Sequence, residues 1–123
     1  MPTSTSVSTI MTRYAAGERS FVALGLDEET LDFSNATLAG ADFPGSFIFA
    51  TFRGADLSGA VFARANVKTC DFTNADLRGA SFVEAAICGA VFVGANLKDA
   101  TFDGADWYGY TFAPGEKPST TQT

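Results

Sequence analysis

Histidine is absent from these 123 residues, tryptophan occurs once, and cysteine and methionine occur twice each. Without histidine the chain lacks the commonest general base and metal ligand. Basic residues are few, eight against fourteen acids, for a net charge of -6 and a pI near 4.3. That balance argues against nucleic acid or an anionic membrane as partner. No apolar run approaches the ~20 residues of a membrane span. The opening residues lack the basic and apolar regions of a secretory signal. Two cysteines in such a chain suggest a reduced intracellular pair rather than a disulfide framework. The expected setting is the cytoplasm, and the length suits one domain.

What the chain does contain is a five-residue beat. Large apolar residues fall at every fifth position from Phe47 to Phe112, and alanine sits two residues before nearly every one, as at Ala55, Ala75 and Ala95. Period five is neither the helical 3.6 nor the strand 2.0. Every-fifth side chains on a helix would spiral around it and bury nothing together. The pattern calls for a solenoid whose short units stack on their neighbours. Ten of the twelve phenylalanines hold central positions, which marks phenylalanine as core. Burying each central Leu or Phe is worth roughly 1.5–3 kcal/mol before chain entropy is counted.

The beat slips once. Phe33, Leu38 and Phe43 are five apart, but Phe43 to Phe47 is four, which places the missing residue at Pro44-Gly45. With four units per turn, Phe33, Phe52, Phe72, Phe92 and Phe112 form one column. Leu38, Leu57, Leu77 and Leu97 form a second, and Phe43, Phe62, Phe82 and Phe102 a third. Phe47, Val67, Ile87 and Trp107 make a mixed fourth. Turns of three or five units scramble these ladders. The chain therefore predicts a square coil of about twenty residues, with like side chains stacked near the ~4.8 Å strand spacing.

Three segments follow. Residues 1–20 carry a short amphipathic helix through Ile10, Met11, Tyr14 and Ala15, with Ser8 as N-cap and Gly17 as stop. Residues 21–114 are the repeat, opening on an irregular coil of Phe21, Leu26 and Leu31. Residues 115–123 read as a disordered tail.

Units such as Ala55-Asp56-Leu57-Ser58-Gly59 and Ala75-Asp76-Leu77-Arg78-Gly79 resemble those of the pentapeptide-repeat family over residues 31 to 114. The resemblance implies an all-β solenoid, a right-handed quadrilateral parallel β-helix, here of about four coils with a short N-terminal capping helix. The central residue and the one two before it would point inward, and the other three outward. Some members bind DNA gyrase by imitating duplex DNA, so a DNA mimic that modulates gyrase is one functional expectation. The other is a rigid protein–protein interaction module of unknown partner, neither an enzyme nor a cofactor carrier.

The acids offer a gauge of the mimic. Residues 31–114 hold nine acids against five bases, a net of about four negative charges. A rod of four-odd coils spans the length of roughly twelve phosphates. Asp56, Asp71, Asp76 and Asp106 are the acidic residues such a mimic would use. Asp56 and Asp76, stacked one coil apart, have the spacing of a proton-sharing or cation-holding pair. The favoured reading, however, is the repeat's own preference for an acid that is solvated or bonded to turn backbone, and Arg78 and Lys98 on the same face would neutralise the pair. Cys70, in an inward alanine position, reads as inert core. Cys88 should face outward on another side, too far for a disulfide.

The C-terminal aromatics Trp107, Tyr108, Tyr110 and Phe112 read as a plug for the open end or as a partner or homodimer interface. Tyr110 stands where an inward alanine belongs. Ile48 and Phe49, adjacent and apolar, are a further candidate contact.

Overall fold

The computed structural model describes residues 7–21 and 31–121. Helix α1 (Val7–Ala15) is followed by four two-residue strands. These are β1 (Leu31–Asp32), β2 (Ala50–Thr51), β3 (Asp106–Trp107) and β4 (Tyr110–Thr111). Strand β1 pairs in parallel with β2, and β3 pairs antiparallel with β4. Regular strands are few because each unit has room for only one paired residue between turns. The remaining order is carried by single parallel bridges, such as Asp56↔Asp76↔Asn96 and Val61↔Ser81↔Thr101, at a register of twenty residues. Four such files run around the chain, one per side of the coil.

A turn separates each side from the next. The amide of Ala75 donates to the carbonyl of Phe72 at 3.0 Å, and Ala80 repeats this on Leu77. The second central residue of these turns has positive φ, for example 68° at Gly59 and 70° at Gly79. Glycine meets that demand without strain, as a type II turn requires. Thr69, at φ 62°, bears it as a β-branched residue.

The two predicted phenylalanine ladders are present, except that Phe112 does not extend the first. In one column Phe33, Phe52, Phe72 and Phe92 stack at 5.2–5.3 Å with rings within 7° of parallel. Phe43, Phe62, Phe82 and Phe102 stack at 4.7–5.0 Å in the next. The two columns meet edge to face, as Phe72 and Phe82 do at 5.5 Å. Both geometries are favoured for aromatic rings. Ala55, Ala75 and Ala95 are buried at the positions two before the central leucines.

The slip lies one unit later than the spacing suggests. Ile48, 2% exposed, is the central residue of the mixed column, while Phe47 is 55% exposed. Backbone register decides this: the Asn66 amide donates to Ser46 O at 2.8 Å, and the Ile48 amide to Asn66 O at 2.9 Å. Ser46 takes the inward small position, and its hydroxyl donates to the Phe21 carbonyl. Pro44-Gly45 is thus an ordinary corner, with Gly45 at φ 58°. The missing residue is absorbed between Ile48 and Phe52, where β2 pairs with β1.

The N-terminal end differs in detail as well. Phe21 joins the top of the Phe43 column, its ring 5.8 Å from that of Phe43. Leu31 is the inward small residue of the Phe33 unit, opposite Ala50, and not a central residue. Leu26 lies outside the described residues. Helix α1 buries Ile10 in the core, and the Tyr14 hydroxyl donates to Ala39 O at 2.7 Å. Ser8 falls within the helix rather than before it, and Ala15 is exposed.

Candidate functional site: the C-terminal end of the coil

The chain leaves the repeat at Trp107. Both Tyr108 (φ 51°) and Gly109 (φ 86°) are left-handed, so the two-residue loop between Trp107 and Tyr110 is a type I′ hairpin turn. A repeat corner has only one such residue and carries the chain onward. Here the chain doubles back. The Phe112 amide donates to Ala105 O and Gly104 to Phe112 O, both at 2.9 Å.

Phe112 is consequently not the fifth ring of the Phe92 column. It packs beside Phe102, 6.2 Å away and tilted 43°. Tyr110 is not inward either: it is 52% exposed and sits edge-on to Phe112 at 5.6 Å. Its hydroxyl donates to Glu116 at 2.7 Å, and that bond raises its pKa. Trp107 is half-buried, and Tyr108 is 71% exposed with its ring edge-on to Trp107 at 5.5 Å. The four aromatics form two edge-on pairs at one end.

The hairpin also covers Cys88, contrary to the outward placement expected for it. That thiol is only 9% exposed, receives the Tyr108 amide at 3.0 Å, and lies 3.5 Å from an Asp106 carboxylate oxygen. Cys70 is fully buried, and burial pushes its pKa up to about 12. Both cysteines are free. Residues 115–121, expected as a disordered tail, lie back across the last coil. Lys117 Nζ donates to Leu97 O at 2.9 Å, and the Gly94 amide donates to Thr120 O at 2.8 Å.

Between hairpin, tail and last coil lies a cleft of about 540 Å³, lined by Val91, Phe92, Trp107 and Phe112 with Lys117 at its edge. Composition did not point to it. The readable signal was Gly109 within Trp-Tyr-Gly-Tyr, where β-forming residues flank a loop that ends in glycine, although Tyr-Gly is not one of the favoured hairpin dipeptides.

The four carboxylates do not form one patch. Asp56 and Asp76 are bridged neighbours on one side, Asp71 lies on the side holding Thr51 and Val91, and Asp106 belongs to the hairpin. Asp71 is bonded to Arg53 at 3.0 Å and Asp76 to Arg78 at 2.7 Å. Asp56 accepts from the Ser58 amide and hydroxyl, a local turn bond. Among the described residues no cluster of acids or cysteines has the geometry to hold a metal ion.

Partial burial raises the Asp71 pKa, but bonds from Thr73 and Arg53 outweigh it and hold it below the usual value. Asp76 is lowered first by its Arg78 hydrogen bond. A depressed carboxylate stabilises the fold above its unfolded pKa of about 3.9 and loses that contribution as pH falls through the folded value. Raised Cys70 acts oppositely, weakening the fold as pH climbs above about 8.5. Thermal melts should therefore show a plateau from about pH 5 to 8, with an acid decline below about pH 4. A melting temperature still rising between pH 5 and pH 3 would contradict the paired assignment of Asp71 and Asp76.

Comparison with known proteins agrees with this architecture. The family described as pentapeptide repeats matches in eight copies over residues 31–66, 46–79 and 70–106. No curated protein matches the chain. Among solved structures, the pentapeptide repeat protein Rfr23 from the cyanobacterium Cyanothece 51142 is 21% identical, with a TM-score of 0.64 over 72% of this chain. The chain spans 59% of that protein's length. The pentapeptide repeat protein alr5209 from Nostoc Pcc 7120 is 28% identical over 91% of this chain and 88% of its own, with a TM-score of 0.59. QnrB1, a plasmid-mediated fluoroquinolone resistance protein, is 22% identical over 73% of this chain and 60% of its own. Its TM-score is 0.34. Eight repeat copies laid over the stacked ladders identify the chain as a member of the pentapeptide-repeat family.

Proposed function

We propose that this chain is a right-handed quadrilateral β-helix of about four coils, capped by α1, that serves as a rigid, non-enzymatic protein-interaction module in the cytoplasm. One observation carries the reading: the aromatic hairpin at the C-terminal end is exposed yet held in place. Tyr108 and Tyr110 are 71% and 52% exposed, while their backbone is fixed by Cys88, Asp106 and the β3–β4 pairing. Tyrosine and tryptophan are favoured anchors of interfaces, and a preordered loop loses little entropy on binding. The two free cysteines suit a reducing compartment.

The gyrase-directed DNA mimic is supported less. Asp71 and Asp76 each sit against an arginine, and Asp56 and Asp106 lie on different elements, so these four acids form no continuous anionic stripe.

A double Tyr108→Ala, Tyr110→Ala variant tests the module. It should lose most partner retention in cross-linked cell extract while its melting temperature stays within a few degrees, because exposed side chains contribute little to stability. Equal retention by both proteins would refute the hairpin as the contact. A supercoiling assay with purified gyrase should show no effect at large molar excess; stoichiometric inhibition, or rescue from a gyrase poison, would establish the mimic instead.

A further inference from the structure

The stacked coils bind one another through a repeated backbone pairing, which ends along the last coil after Val91, Asn96 and Thr101, and the cleft opens where it ends at Val91. Asp71 sits opposite Thr51 and is reached by the Phe52 amide at 2.7 Å, while its own amide donates to Ala50 O at 3.3 Å. One coil on, Val91 sits opposite Asp71, accepts from the Phe72 amide at 2.7 Å and donates to Cys70 O at 3.0 Å. The next rung would need a residue placed between the Ala90 carbonyl and the Phe92 amide. Among the described residues, neither group has a backbone partner. The type I′ turn has drawn Phe112 away, and the described part of the returning tail, through residue 121, bonds Gly94 but not these two groups.

The same place is apolar and open. Val91, Phe92, Trp107 and Phe112 line it, its volume of about 540 Å³ lies within the range of ligand pockets, and among the described residues Lys117 is its one charged lining residue. The Lys117 ammonium spends one N–H on Leu97 O, which leaves two for another acceptor.

We infer that the cleft is a docking site for an extended segment of a partner protein, bearing an aromatic residue directly preceded by an acid. The acidic residue occupies the vacant rung opposite Val91: its carbonyl accepts from Phe92 N–H, and its amide donates to Ala90 O. Its carboxylate meets Lys117, and the following aromatic side chain enters among Phe92, Trp107 and Phe112. A small residue two before the aromatic fits the corner, as Ala does throughout the coil. Strand addition supplies affinity through the main chain, and the pocket supplies selectivity. The inference rests on the interaction-module reading and gives that module a partner chemistry.

The probe is the peptide acetyl-Ser-Ala-Asp-Phe-Thr-Asn-amide titrated into the full chain. Trp107 is the only tryptophan, so its fluorescence reports the cleft directly, and amide NMR reports Phe92. Saturable binding with a downfield shift of the Phe92 amide is expected. Replacing the peptide's phenylalanine with alanine, or N-methylating its aspartate, should weaken binding at least tenfold. Lys117→Gln should weaken the aspartate peptide several-fold and leave an asparagine version unchanged. No saturable change at millimolar peptide, or equal binding by the alanine peptide, would overturn the site. So would a concentration-dependent dimer that shields Trp107, which would assign the cleft to a second copy. Those results leave the module reading standing, because the loss of partner retention in the Tyr108, Tyr110 double variant is measured separately.

Discussion

Phe72→Ala should lower stability by about 3–5 kcal/mol, the cost of removing a fully buried phenylalanine. Phe72 is 0% exposed and stacks between Phe52 at 5.3 Å and Phe92 at 5.2 Å, with Phe62 and Phe82 edge-on at 5.7 and 5.5 Å. Its neighbours cannot close the gap, because each is tied to its own coil through backbone bonds at a set register. The vacancy also interrupts the stack in the middle of the repeat, where interfaces on both sides depend on it. Urea melts of the purified variant measure the change. A loss below about 1 kcal/mol would mean that the coils tolerate a missing rung, against the close packing of protein interiors.

Ala75→Leu should also be costly, for the opposite reason. Ala75 is 1% exposed, one coil from Ala55 and Ala95 in the same file. The walls of the coil converge at these positions, so three added carbons have nowhere to go without moving backbone. Overpacking of this kind costs about 1–3 kcal/mol, and the stiffness of a coil bridged above and below favours the upper end. Denaturant melts decide it, with Gly79→Ala as a comparison: Gly79 at φ 70° has space for a methyl, so that variant isolates backbone strain from crowding. A midpoint for Ala75→Leu equal to that of the parent would show that the alanine file does not face the axis.

The two substitutions probe the part of the fold that local spacing made legible. Four files of bridges at twenty-residue register, the two phenylalanine ladders and the buried alanines all follow from positions counted along the chain. A five-residue unit with one large and one small apolar residue has a single way to bury both, and repetition removes the ambiguity that one unit alone would carry. The inert burial of Cys70 follows from the same count. The candidate site was less legible. Trp107 and Tyr108 were marked by type as anchors, but the cleft beside them arises from Gly89, Val91 and Lys117, none of which stands out in composition.

Spacing failed where two readings bury comparable apolar surface. Phe47 and Ile48 are adjacent and both large, and the beat fits either, so hydrophobicity could not choose. Hydrogen bonds between Ser46, Ile48 and Asn66, eighteen to twenty residues apart, put Ile48 inside and Phe47 out. Phe112 fits the beat and still leaves its ladder, because left-handed backbone at both Tyr108 and Gly109 reverses the chain before a fifth coil begins. Cys88 is covered by that same reversal. The repeating architecture was therefore set by the sequence alone, since every unit states the same local preference and neighbours reinforce it. The position of the slip, the end of the coil and the cleft beyond it were decided by tertiary structure, because each depends on which distant backbone groups find partners.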